Sequence, residues 1–313
     1  MIKRKIFSVL GMLLLILLTA CGENQTTQEI KEEKKLQIVT TYSIIFDIVE
    51  NVAGDHAEIY SIVPIGADPH EYDPLPEDLT KTTDADVVFY HGLNLEEGNG
   101  WFNKLIDTAG KSKNVVHPVS EGVEPIYLET LGQTDDPDPH TWLDVSNVII
   151  FAENVRDHLI EADVENQEVY KKNAEKYIQQ LEKLHTKTLD KIQDIPEENR
   201  FLITSEGAFK YFEKAYNIET GYIWEINSEN EGSPKQMSDV VDLIREKNIS
   251  GLFVETSIDR RSMETVSIET GVPIAGEVYT DSLGKEGTDG DSYIKMMESN
   301  LNVLYQGLID GDD

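Results

Sequence analysis

Two tripeptides repeat in this chain, Asp68-Pro69-His70 and Asp138-Pro139-His140, and each leads into a further acid, Asp73 and Asp144. Proline fixes its own φ and biases the residue before it toward extended backbone. A Pro-His step in a loop therefore presents an imidazole from a stiffened main chain. That suits a metal ligand, which must be held near its geometry before the metal arrives. A lone loop histidine is ordinarily a solvated residue; two in matched settings point to a shared site. The second half of the chain offers carboxylates instead. Glu206 follows the apolar run 201–204, and Asp281 follows the apolar run 273–278. In open α/β sheets ligands bind just beyond the carboxyl ends of strands, and both acids fit that rule. A helix cap or a turn would explain either acid taken alone. Positions 70, 140, 206 and 281 are separated by 70, 66 and 75 residues. Ligands so far apart converge only if two domains face each other across a cleft.

The pattern around these residues is strand–helix alternation. Short apolar runs predict strands at 36–40, 59–63, 85–90, 114–117, 201–204, 220–224, 251–254 and 273–278. Amphipathic runs predict helices at 44–52, 96–109, 145–159, 208–216, 234–247, 260–270 and 292–309. Such alternation argues for α/β architecture with mainly parallel sheets flanked by helices. Between the halves, apolar residues from Val169 to Ile192 recur in steps of three and four, with no Gly or Pro before Pro196. That is one face of a single long helix, and thirty residues of helix span about 45 Å. The strand–helix pattern restarts directly after it. The expected organisation is an N-terminal α/β lobe at 36–164, a rigid connecting helix at 165–195, and a C-terminal α/β lobe at 196–313.

The chain has 313 residues, 59 acidic against 27 basic, for a net charge of 27 − 59 = −32. That balance argues against nucleic acid, which needs clustered Lys and Arg. It permits a cationic partner. One cysteine excludes an internal disulfide and a multi-cysteine zinc or iron–sulfur site. Lys3, Arg4 and Lys5 precede an apolar stretch at 6–18, too short to span a bilayer, which needs about 20 residues. Residues 1–20 read as a signal peptide. The sequence Leu18-Thr19-Ala20-Cys21-Gly22 resembles the lipobox of bacterial lipoproteins, in which the cysteine is lipidated and becomes the first residue. Cleavage there removes three basic residues, leaving 24 − 59 = −35. Residues 21–35 are polar and read as a lipid-anchored tether. The expected location is the extracellular face of the bacterial cytoplasmic membrane.

The lipobox, DPHEYDP, DPHTWLD, TSEGAFKYF, IWEINSENEGSP and YTDSLG together resemble the solute-binding lipoproteins of bacterial manganese/zinc ABC importers. The similarity covers essentially the whole mature chain, with the motifs in family order. The resemblance implies two α/β lobes joined by one long helix, with the metal in the cleft between them. It implies His70, His140, Glu206 and Asp281 as the metal ligands. Family members with a third histidine at the Glu206 position are similar to zinc carriers; those with glutamate there, in the setting IWEINSENEG, are similar to manganese carriers. Mn²⁺ is therefore the expected cargo, with Zn²⁺ or Fe²⁺ as alternatives at the same site. Carboxylate oxygen suits harder ions such as Mn²⁺, although affinity order favours Zn²⁺. The implied partners are a membrane permease and a separate ATPase, since the chain has no P-loop. The protein is expected to act as a monomer.

Asp68, Asp138 and Asp144 are candidates either to orient the imidazoles or to cap helices. Trp224, Glu225 and Asn227 are candidates for the cleft or the permease contact. His91 stands where the family commonly has Asn. His56, His117, His158 and His185 read as surface or packing residues. Two rival functions stand beside metal carriage. A surface metallohydrolase would need an open coordination position and a general base, and the chain has no HExxH. A surface adhesin fits the location, but no residue specifies a host ligand.

Overall fold

A computed structural model describes residues 35–97, 100–130, 134–227 and 232–309. The expected signal peptide, Cys21, the tether up to residue 34, and the acidic runs at 229–231 and 310–313 lie outside the described residues.

The N-terminal half carries β1 (Leu36–Thr40), β2 (Ala57–Ser61), β3 (Val87–Tyr90) and β4 (Val116–Pro118) in one sheet of order β2-β1-β3-β4. All three pairings are parallel. Its helices are α1 (Ser43–Ala53), α2 (Pro76–Asp84), α3 (Trp101–Ala109) and α4 (Val145–Ala162). The long helix α5 (Gln167–Gln193) follows. The C-terminal half adds β5 (Phe201–Glu206), α6 (Lys210–Tyr216), β6 (Glu219–Trp224), α7 (Pro234–Lys247), β7 (Leu252–Glu255), α8 (Arg261–Thr270), β8 (Ile274–Val278) and α9 (Tyr293–Ile309). Here β5 pairs with β6 and β7 with β8, again in parallel. Strand β5 lies beside β7, where the Glu206 main-chain N–H donates to the Glu255 carboxylate at 2.8 Å.

Most element bounds lie within a few residues of expectation, and two regions depart further. Helix α2 has no counterpart in the sequence reading. Its segment PEDLTKTTD has a single apolar side chain, Leu79, so hydrophobic periodicity is silent. Its signals are end signals: Pro76 opens it, and the Asp78 carboxylate accepts the Leu75 N–H at 2.6 Å. The helix expected from residue 96 begins instead at Trp101. Glu96 is turned inward and accepts hydrogen bonds from Thr41 Oγ1, His91 N and Gly92 N, so it cannot open a surface helix.

Helix α5 buries Tyr170, Ala174, Tyr177, Leu181, Leu184, Thr188 and Ile192, at steps of three and four. At 27 residues it is about 40 Å long. It packs on α1 and α4 from one half and on α6 and α9 from the other. The main hydrophobic cluster runs from Ile38 in β1 to Leu308 in α9, through α5. A second cluster around Ile203, Ile223, Val241 and Val254 belongs to the C-terminal half alone. Asp47 in α1 is buried and ties the same helices together, accepting from Tyr177 Oη at 3.3 Å and from Tyr293 N at 3.2 Å.

Candidate metal centre

Parallel strands end on one side of their sheet, so the loops after them gather there. His70 lies in the loop after β2, and His140 in the loop after β4. Glu206 is the last residue of β5, and Asp281 lies three residues beyond β8. The structure brings all four together: one donor atom from each lies within 4.8 Å of the others. The closest approaches are His140 Nε2 to Asp281 Oδ1 at 3.5 Å and to Glu206 Oε1 at 3.6 Å. His70 Nε2 stands 3.9 Å from Glu206 Oε1.

Each side chain is aimed by its own neighbours. Asp68 Oδ1 accepts the His70 main-chain N–H at 2.8 Å, closing the turn that Pro69 stiffens. Asp138 Oδ1 does the same for His140 N at 3.0 Å and also engages the ring at Nδ1, 2.9 Å away. That bond leaves Nε2 free to face the cluster. Asp144 instead caps α4, accepting the Ser146 N–H. Glu206 Oε1 accepts the Asn227 main-chain N–H at 2.7 Å. Asp281 Oδ2 accepts from Ser257 and Thr280 hydroxyls at 3.1 and 3.0 Å. The loop bearing Asp281 is tied to that bearing His70 by the Gly66 N–H, which donates to Ser282 Oγ at 2.7 Å.

All four side chains are buried, at 0–3 % exposure. Yet His70 Nε2, His140 Nε2, Glu206 Oε2 and Asp281 Oδ1 have no hydrogen-bond partner. Buried polar atoms left unpaired are costly, and here one belongs to each of the four clustered side chains. Atoms bound to one divalent cation at about 2.0–2.2 Å stand roughly 3–4 Å apart, close to the spacing found. Two neutral imidazoles and two carboxylates would balance a 2+ charge. The donor set therefore fits a divalent metal ion.

Electrostatics point the same way. Burial pushes His70 below its ordinary range. Burial also raises Glu206 well above the usual carboxylate range, aided by Asp281. Burial opposes charge on His140 too, but the Asp138 and Glu206 carboxylates overcome it and raise the imidazole well above its ordinary value. Protons therefore compete with a cation for these same atoms.

Other residues complete the surroundings, and of these the sequence reading did not single out Glu255 or Lys210. Glu255 ends β7 as Glu206 ends β5, so the strand-end rule could have found it. It is buried directly behind Glu206, and burial pushes it up to about 7. Lys210 sits 3.3 Å from Asp138 Oδ2 and pairs with Glu225. His91 is buried against Trp142 and Phe151 and held neutral, burial pushing it down to about 3. Among the described residues no metal-ligating group includes His56, His91, His117, His158 or His185. No described helix is long and apolar enough to cross a membrane.

Comparison with known proteins now adds to this geometry. The family described as ZnuA, zinc-uptake complex component A periplasmic, matches residues 38–307. The manganese ABC transporter substrate-binding lipoprotein PsaA of Streptococcus mitis is 48% identical over 295 residues, covering 94% of this chain and 95% of its own. The metal ABC transporter substrate-binding lipoprotein SloC of Streptococcus mutans is 48% identical over 301 residues, covering 96% and 98%. Among solved structures, the periplasmic zinc-binding protein TroA from Treponema pallidum superposes with a TM-score of 0.81 at 29% identity. That match covers 88% of this chain and 99% of TroA.

Proposed function

The chain belongs to the zinc-uptake component A family, and on that premise we propose that it captures Mn²⁺ outside the cell and hands it to the permease of an ABC importer. The observation that carries this reading is the convergence of four buried side chains, His70, His140, Glu206 and Asp281, each with a donor atom that has no hydrogen-bond partner. These residues are the ligands. They fix the orientation of two imidazoles and two carboxylates before the ion arrives, so little ordering is left to the binding step. The Glu206 carboxylate in place of a third imidazole suits a harder ion, and relatives named as manganese transporter lipoproteins support that cargo. Zn²⁺ binds the same donors on affinity order, so selection rests on supply and on transport.

The working unit is divided into an N-terminal lobe at 36–164, the connecting helix at 165–195 and a C-terminal lobe at 196–313. The ligands are shared two and two across the cleft. A lipid on Cys21 holds the monomer at the outer face of the cytoplasmic membrane, next to a permease with its own ATPase subunit. Four protein ligands leave no open position for a substrate, so the protein is a carrier and not an enzyme.

Two measurements test this. Uptake of radiolabelled Mn²⁺ and Zn²⁺ is compared in a deletion strain with and without the gene. Restored Mn²⁺ uptake supports the assignment; restoration of Zn²⁺ uptake alone assigns zinc. Calorimetric titration of the protein should give one Mn²⁺ per chain. His140→Ala should weaken binding by more than the about 100-fold that loss of an outer hydrogen bond costs. An unchanged affinity would remove His140 from the ligand set.

A further inference from the structure

The segment 224–227, from the last residue of β6 onward, supplies none of the four donors, yet it grips both histidine loops. Asn227 does so on the His70 side. Its main-chain N–H holds Glu206 Oε1 at 2.7 Å, and its side-chain Nδ2 reaches Asp68 Oδ2 at 3.0 Å. Asp68 is the residue whose other oxygen closes the His70 turn. The Asn227 amide is itself fixed, its Oδ1 accepting from Trp224 Nε1 at 3.0 Å. One residue therefore links a carboxylate donor of the C-terminal half to the loop of an imidazole donor in the N-terminal half.

Glu225 does the same on the His140 side. Its carboxylate accepts main-chain N–H groups of Glu129 and Thr130 at 2.7 and 2.6 Å, along with the Thr130 hydroxyl. It also pairs with Lys210, whose ammonium lies 3.3 Å from Asp138 Oδ2. Asp138 holds the His140 ring. Next to this chain the Tyr211 hydroxyl donates to the Asp138 carbonyl at 3.0 Å and accepts from Ile126 N at 2.8 Å. Glu225 is buried, and the Lys210 side chain is nearly so.

We propose that Asn227 and Glu225 form a clasp that sets the rate of metal release. For the ion to leave, donors of one half must withdraw from donors of the other. The Asn227–Asp68 bond and the Glu225–Lys210–Asp138 chain span that same gap and must break in the same movement. They touch no donor atom of the two imidazoles, so they act on departure and leave encounter with the ion unaffected. Affinity differences among variants of one site lie mostly in the off-rate. These are positioning residues, and the clasp rests on the metal-carrier reading above.

The test uses the full-length chain loaded with Mn²⁺ and mixed rapidly with an excess of a chelator whose colour reports free metal. Asn227→Ala should release Mn²⁺ about tenfold faster than wild type or more, as loss of one charge-assisted hydrogen bond predicts, with association changed less than about threefold. Glu225→Gln should also speed release, because the Lys210 ammonium loses its carboxylate partner. Asn227→Asp sets two carboxylates against each other and should release faster still. The exchange Asp68→Asn with Asn227→Asp rebuilds an amide–carboxylate pair in reverse and should return the rate to within about threefold of wild type. Rescue by the exchange also separates a specific bond from general damage to the fold. Release at the wild-type rate in both Asn227→Ala and Glu225→Gln, or failure of the exchange to rescue, overturns the clasp. If wild-type protein itself takes up neither Mn²⁺ nor Zn²⁺, the carrier reading fails first.

Discussion

In the His140 loop, Asp138 takes both the main-chain N–H of the histidine and its ring Nδ1, and turns its second oxygen toward Lys210. In the His70 loop, Asp68 takes the equivalent main-chain N–H but turns its second oxygen to Asn227. The tripeptide is the same in both places, and so is the turn. What differs is the tertiary neighbour: an ammonium in one case, an amide in the other. Asp138 is held ionised against its burial by His140 and Lys210. His140 becomes a ring anchored through a charge chain, while His70 is carried by its backbone. The motif places an imidazole, and its surroundings specify how tightly that imidazole is held.

The comparison is broken most directly by removing the two aspartates. Asp138→Ala should weaken Mn²⁺ binding by about 100-fold and Asp68→Ala by about tenfold, the two ends of the range for outer-shell partners. Equal losses by calorimetry would mean that the two loops are equivalent after all.

Acidity probes the same two loops. Burial and Asp281 raise Glu206, and the Asp138 carboxylate raises His140 against its burial, so protons compete with the metal at both. Mn²⁺ affinity should therefore fall as pH falls and rise as the medium becomes alkaline. Asp138→Ala removes the first of the carboxylates that raise His140, so its affinity profile should shift toward lower pH. Asp68→Ala removes a charge that raises His70 and Glu206, so its profile should shift in the same direction. An affinity independent of pH in the wild-type protein would contradict the proton-for-metal exchange.

A smaller effect serves as a control outside both loops. Glu96 is buried, and burial pushes it up to about 7. The folded state thus holds its proton more tightly than the unfolded chain. Its stabilising contribution is full below the unfolded value near 4.5 and is lost as pH rises through about 7. In metal-free protein this should appear as a decline in unfolding free energy on the order of 1–3 kcal/mol across that window. Glu96→Gln should flatten the decline. It should also lower stability overall, because its amide NH₂ group would face either the Gly92 N–H or the Thr41 and His91 donors. Denaturant titrations at several pH values read both; an unchanged slope would place the linkage elsewhere.

The cluster of four proposed ligands was legible because each member stands in a position that local rules can name: a proline-stiffened turn, a strand end or the residues just past one. The long helix was legible because α5 keeps one apolar face for 27 residues. Helix α2 was not, since it is anchored by Asp78 and the Tyr60 and Tyr72 hydroxyls more than by an apolar stripe. Asn227 and Glu225 could be named only as candidates. Their roles depend on Asp68, Lys210 and Thr130, which lie 159, 15 and 95 residues away in sequence. No periodicity reports on such pairs. Glu255 carried the right signal, a strand-end acid, but only the packing of β5 beside β7 shows that it supports Glu206.

The core shared between the halves bears on the order of assembly. Asp47, in the first helix, finds one of its donors at Tyr293, 246 residues later, and Ser43 Oγ accepts the Leu283 N–H across 240 residues. The apolar cluster that begins at Ile38 is completed only by Leu301, Leu304 and Leu308. Contacts of such high sequence separation make folding slow, because chain entropy is spent before they form. An emerging N-terminal segment has no finished core to settle into. Its core should therefore close only once the last helix is available.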